Sequence, residues 1–406
     1  MDQRDHYFML KKHPEQTTII KALDFFCGAG GMTRGLLDAG INVVAGIDSD
    51  ERCGESYEHN NSDVKFVHKD IRSLSIKDLR QFTGDTSFEQ MLFAGCAPCQ
   101  PFSQQKKGDR RVRDATLLGE FGRIVELAKP GYVLIENVPG IAKVKGFSTF
   151  LRFLETLSRN GYKYVFDVIN AKHYGVPQNR RRLVMIASRF FLPSLPKPKY
   201  GPTIRPYRTV RQAIDHFPKL ETGKCCSEIP NHVAALLTPL NIERLIHTPH
   251  SGGDRRSWPS YLRLNCHSGN YNGHTDVYGR MAWDTPAPTL TGRCNSISNG
   301  RYGHPTQNRA ISLREAASIQ TFPDGYVFYG SNKHIALQIG NAVPVRLAEE
   351  LGKHILQLWK SRKEAEHGDR NSRNTRLQRA SKKNINKKTI IHEIALKYFA
   401  EQNFTL

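Results

Sequence analysis

The first place in this chain where chemistry is expected is a cysteine just beyond a short apolar run. Residues 91–94 (Met-Leu-Phe-Ala) read as a buried strand, Gly95 and Pro98 end it, and Cys99 falls in the turn beyond. A thiolate is a strong nucleophile near neutral pH, and a stiff turn at a strand's carboxyl end is where open α/β sheets build their sites. The spacing Cys96-x-x-Cys99 also suits two small core residues or half of a zinc site. Glu136, directly after the apolar run 132–135, is the second candidate. A carboxyl there is costly unless used or paired, so it is either a proton donor or a structural group bonded to backbone amides. Arg180, Arg181 and Arg182 precede a further apolar run and offer fixed cations to a phosphate or a base carbonyl, with a solvated rim as the alternative.

These residues need a scaffold, and the hydrophobic pattern supplies one. Residues 18–26 read as a strand, Cys27-Gly-Ala-Gly-Gly31 as a tight turn, and residues 32–39 as a helix. Glycines there let a ligand approach the backbone, and the helix start offers free amides to a nucleotide-like cofactor. A second strand over 42–47 ends at Asp48, suited to ribose hydroxyls. The third, 65–68, leads to Asp70-Ile71, suited to an adenine, although Asp70 is equally suited to capping a helix. NAD stays open on these residues, but Thr33 stands where a dinucleotide fingerprint wants its third glycine. Further helices are expected over 115–127 and 148–160, and strands over 164–169 and 183–187. Seven strands alternating with helices make an α/β, doubly wound sheet through about residue 190.

The pattern then changes. From 191 to about 330 the chain is rich in Pro, Gly, Asn, His, Arg and Trp without strand–helix alternation, which predicts a smaller, loop-rich second domain able to reach base edges. Residues 339–344 and an amphipathic stretch over 345–358 return to the first domain. Residues 1–17 form a polar leader, and 361–406 a basic tail suited to non-specific phosphate binding. Residues 104–114 carry five cations directly after Cys99 and suit a lid over a charged substrate.

Bulk composition agrees with a polyanionic partner. The formal charge is +21 with an isoelectric point near 9.7, which favours nucleic acid over a neutral small-molecule role. No run of eighteen apolar residues and no charged-then-apolar leader occur, so neither a membrane span nor a secretory signal is expected. The eight scattered cysteines fit reduced thiols in the cytoplasm rather than a disulfide framework.

Five segments, in order, carry a resemblance: Asp24-Phe-Phe-Cys-Gly-Ala-Gly-Gly31, Pro98-Cys99-Gln100, Glu136-Asn137-Val138, Gln178-Asn-Arg-Arg-Arg182 and Gly340-Asn341-Ala-Val343. Together, over residues 18–358, the chain resembles the DNA (cytosine-5)-methyltransferases. The resemblance implies a catalytic domain that binds S-adenosylmethionine over 18–190 and 331–360, a Rossmann-like methyltransferase sheet, and a target-recognition domain over 191–330. It implies Cys99 as nucleophile on a flipped cytosine, Glu136 as its acid, and Arg182 with Arg180 near the ring carbonyl. It places Phe26, Gly28, Gly30, Gly31, Asp48, Asp70, Ile71, Pro98, Leu117 and Asn341 around the cofactor, with no metal. Asp48 departs from the glutamate common at its position. Double-stranded DNA, and a cognate restriction endonuclease acting on the same site, are the implied partners of a monomer. A tRNA cytosine-5 methyltransferase shares the core, but the Cys-Phe-Thr signature of that branch is missing here. A catalytically silent DNA-binding relative would lack the acid and nucleophile that this sequence has.

Overall fold

In the computed structural model, residues 20–98, 117–142, 147–265 and 276–372 are described; Cys99 and the basic segment 104–114 lie outside the described residues. The chain divides into two units, residues 1–359 and 360–406, and the sheet belongs to the first.

Seven strands form that sheet: β1 (Lys21–Phe25), β2 (Asn42–Asp48), β3 (Lys65–His68), β4 (Met91–Gly95), β5 (Tyr132–Asn137), β6 (Lys163–Asn170) and β7 (Arg181–Ser188), in the order β3-β2-β1-β4-β5-β7-β6. The first five are parallel, while β7 runs antiparallel to both β5 and β6. The predicted strands sit where the apolar runs put them, but the reversed β7 was not legible. A run buried on both faces looks the same in either direction.

Side chains alternate across each strand, so both faces need cover. On one face Ala22, Leu92, Ala94 and Leu134 share a core with Leu36 of α1 (Gly31–Asp38) and with Leu347, Leu351 and Ile355 of the late helix Val345–Ser372. On the other face Phe25 lies 5.2 Å from Phe93 and 5.2 Å from Phe121, itself 6.0 Å from Phe153. Phe121 and Phe153 belong to the helices Leu117–Ala128 and Phe147–Arg159. Each such buried ring contributes about 1.5–3 kcal/mol.

Between β7 and the late helix, the described residues form short helices and isolated bridges with no strand. A capping box of Ser312 and Glu315 starts the helix Leu313–Ile319. Arg309 donates to both oxygens of Glu315, at 2.7 Å each, and both residues are buried. Buried Arg280 donates to the carbonyls of Leu245, Thr248, His304 and Gln307. Arginine clamps on main-chain carbonyls thus hold loops that no ladder connects. No helix among the described residues is long and apolar enough to cross a membrane.

Candidate active site

The carboxyl ends of β1, β4 and β5 lie side by side, and three of the motifs read from the sequence sit on them. After β1 the backbone turns sharply: Phe26 adopts φ 59° and its amide donates to the Ile47 carbonyl at 2.8 Å. Gly30, at φ 88°, precedes α1, and a Cβ there would meet the Tyr326 hydroxyl at 2.8 Å and Asn61 Nδ2 at 2.9 Å. That hydroxyl donates to the Ala29 carbonyl at 2.6 Å, so the turn is buttressed from a segment almost three hundred residues away. Only glycine fits there.

At the end of β2, Asp48 accepts from the Gly28 amide at 2.8 Å and from the Asp50 amide at 2.9 Å. Burial raises its carboxyl above the usual range, while the two amides pull the other way. A Cβ on Gly28 would meet nothing within 4 Å among the described residues, which leave room beside this carboxylate. Lys69 donates its amide to the Asp48 carbonyl at 2.9 Å, which brings Asp70 and buried Ile71 to the same edge. Asp70 caps the short turn Ile71–Ser73 through the Arg72 amide at 2.9 Å, the capping role weighed from its type. Pro98 and Leu117 are half-buried at either end of the undescribed stretch, Gly31 is buried at the start of α1, and Asn341 is exposed.

Deeper in the sheet, Asp24 sits wholly buried beneath the glycine turn. Its Oδ2 accepts from the Thr33 hydroxyl at 2.7 Å, and Oδ1 has no partner among the described residues. Burial pushes its carboxyl up to about 7, against the lowering effect of Thr33.

The ends of β4 and β5 are tied by two consecutive contacts. The Cys96 thiol donates to Glu136 Oε2 at 2.8 Å, and Asn137 Nδ2 donates to the Ala97 carbonyl at 3.1 Å. Glu136 is only 2 % exposed. Its Oε1 lies 3.0 Å from Arg182 Nε as an ion pair, but has no aligned hydrogen bond among the described residues. Arg180 is placed differently. Its guanidinium donates to the carbonyls of Leu290 at 3.0 Å, Gly340 at 3.2 Å and Ala342 at 3.0 Å, leaving only Nε unpartnered among the described residues. Burial lowers its proton affinity to about 9. Gln178 joins the same clamp, donating to Gln320 Oε1 at 2.9 Å and accepting from the Leu290 amide at 2.9 Å.

Of the residues singled out from the sequence, Glu136 and Arg182 come together here, and Cys96, weighed there as a core or metal residue, joins them. Sequence reasoning missed the role of Asn137, although its place one residue after the acid was a usable signal. One cluster outside these motifs, Asp50, Cys53 and His334, has ligand atoms within 4.8 Å of one another. Asp50 is already paired with Arg52 at 2.6 Å, and Gln338 Nε2 lies 3.0 Å from His334 Nδ1.

The family described as C-5 cytosine-specific DNA methylase matches residues 20–357. A Type II methylase of Herpetosiphon aurantiacus, M.HgiDII, is 39% identical over 340 residues, covering 82% of this chain and 94% of that protein. The Type II methyltransferase M1.HphI of Haemophilus parahaemolyticus is 32% identical, covering 86% and 90%. Among solved structures, a putative DNA modification methyltransferase encoded within an E. coli prophage superposes with a TM-score of 0.65 at 22% identity, covering 84% of this chain and 99% of that one.

Proposed function

This chain belongs to the C-5 cytosine-specific DNA methylases, and from that premise we propose how its residues transfer a methyl group to carbon 5 of cytosine in duplex DNA. The observation that carries the reading is the pair of contacts joining the ends of β4 and β5. They set the turn that runs into Cys99 against Glu136 and Arg182.

Carbon 5 of cytosine is a poor nucleophile, and a thiolate added at carbon 6 changes that. In our reading the Cys99 sulfur bonds carbon 6, and the ring electrons move toward N3 as Glu136 gives its proton there. Arg182 stabilises the charge at the ring carbonyl. Arg180, with its Nη groups spent on carbonyls, holds the 290 and 340–342 loops in place and keeps Nε for the site. Carbon 5 would then take the methyl group as the donor's sulfur–methyl bond breaks, with a neutral thioether as the leaving group. Loss of its proton to a base, return of the N3 proton to Glu136 and cleavage of the sulfur–carbon bond regenerate Cys99. Such chemistry is closed to a base inside the stack, so the cytosine is flipped out, as enzymes that methylate a base within a duplex generally require.

Members of the family are methyltransferases, and S-adenosylmethionine supplies an electrophilic methyl carried on a sulfonium. The residues present fit it. The Asp48 carboxylate beside the open side of Gly28 suits ribose hydroxyls, and Asp70 with Ile71 suits the adenine. Phe26, Gly30 and Gly31 shape the turn, with Pro98, Leu117 and Asn341 completing the pocket.

The similarity to Type II methylases supports a protective role beside a restriction endonuclease reading the same duplex sequence, in the bacterial cytoplasm. In this reading residues 191–330 recognise the target, and a monomer suffices. DNA carrying 5-fluorocytosine tests the covalent step, since fluorine blocks loss of the carbon 5 proton. A denaturation-resistant complex is expected with the wild type and none with Cys99→Ser; adducts with both would remove Cys99 from its role.

A further inference from the structure

We infer that Cys96 is a positioning residue: its thiol orients the carboxyl of Glu136 for the flipped base. The inference rests on the acid role proposed for Glu136 and extends it to a residue that no motif assigns.

The contact is direct. Cys96 Sγ lies 2.8 Å from Glu136 Oε2, within a sheet edge where Glu136 is 2 % exposed. The hydrogen sits on sulfur, because burial first, and then the charge of Glu136, push the thiol well above its ordinary range. Cys96 is therefore a donor. On the far side, Arg182 faces Oε1 at 3.0 Å without an aligned hydrogen bond, and that oxygen finds no other partner among the described residues.

A carboxyl gripped by one donor at Oε2 has its plane set, and the oxygen left without an aligned hydrogen bond is the one that faces Arg182. Rotation about the last bond of a glutamate side chain is broad and soft, so an unheld carboxyl would sample other planes. Misplacing a proton donor by a fraction of a bond length is costly in rate. The charged groups facing Glu136 among the described residues are Arg182 and Arg180, both cationic, so the neutral thiol directs the carboxyl without adding charge.

The test compares Cys96→Ala and Cys96→Ser in the full chain, with methyl transfer to duplex DNA measured as kcat and KM. Alanine removes the donor, and we expect kcat to fall about tenfold with both KM values within about twofold. Serine, which keeps a donor, should restore kcat to within about threefold. An alanine variant with wild-type kcat overturns the assignment, and so do a loss carried by KM alone and a serine variant as impaired as alanine. A wild type that methylates no DNA overturns the underlying reading together with it. Active wild type and an unchanged alanine variant overturn only the part given to Cys96.

Discussion

Asn137 and Ala97 are joined across the carboxyl edge of the sheet by one hydrogen bond, Nδ2 to carbonyl at 3.1 Å, with Asn137 buried to 2 % exposure. It fixes the backbone two residues before Cys99. Replacing Asn137 with Leu leaves the Ala97 carbonyl unsatisfied, at a cost of about 1–3 kcal/mol in unfolding free energy. Denaturant titration should show that loss. Steady-state kinetics should show kcat reduced at least about tenfold with cofactor affinity kept. Unchanged kcat would mean that the turn holds its place without Asn137.

Asp48 is held by two backbone amides before any ligand arrives. Asp48→Ala removes a preorganised acceptor pair from the ribose site, so S-adenosylmethionine should bind about 10–100-fold more weakly by calorimetry, from a loss of about 1.5–3 kcal/mol. Asp48→Glu, the longer carboxylate, should retain most of the affinity. Equal binding by all three would remove Asp48 from the pocket.

The buried Asp24 makes stability depend on pH. Its folded value of about 7 lies above its ordinary 3.8. The folded state therefore holds a proton that the unfolded state has lost between those values. Its contribution is complete below about pH 4 and disappears as pH rises to about 7. Roughly three units at about 1.4 kcal/mol each amount to about 4 kcal/mol. Unfolding free energies measured between pH 4 and 8 should fall more steeply for the wild type than for Asp24→Asn. Parallel slopes would show that Asp24 is ionised in the fold.

The pair of Arg309 and Glu315 works in the opposite sense. Burial alone would raise the Glu315 carboxyl, but Arg309, His304 and the Ser312 amide outweigh it and lower it. Its stabilisation is present above the ordinary 4.5 and is lost as pH falls through the lower folded value. Arg309→Met leaves a buried carboxylate without its guanidinium partner and should cost about 3–5 kcal/mol at pH 7, narrowing in acid. A neutral-pH loss below about 1 kcal/mol would count against the pair as a structural bond.

Much of this site was legible because its motifs combine backbone demands with charge. A glycine turn after an apolar run, an aspartate ending the next strand, and a glutamate ending another are visible in one dimension, and each lies where its strand ends. Arg180 and Arg182 were both expected near the ring carbonyl, and the difference between their contacts was not visible. Which of two arginines faces a carboxylate and which grips three carbonyls depends on loops more than a hundred residues away, at Leu290 and Gly340. Cys96 was equally silent, since its thiol meets a carboxyl forty residues on only because β4 pairs with β5. The antiparallel β7 carries no mark in its sequence, because an apolar run has no direction. Between 191 and 330 composition announced loops, and the arginine clamps that order them depend on three-dimensional neighbours alone.

Cytosine-5 methylation of DNA stands or falls here with Cys99. The most direct measurement is transfer of labelled methyl from S-adenosylmethionine to unmethylated duplex DNA, run beside tRNA and beside Cys99→Ser. Label is expected at carbon 5 of cytosine in DNA with the wild type, and none with the variant or on tRNA. Label on tRNA alone, or transfer by Cys99→Ser at the wild-type rate, would contradict that role.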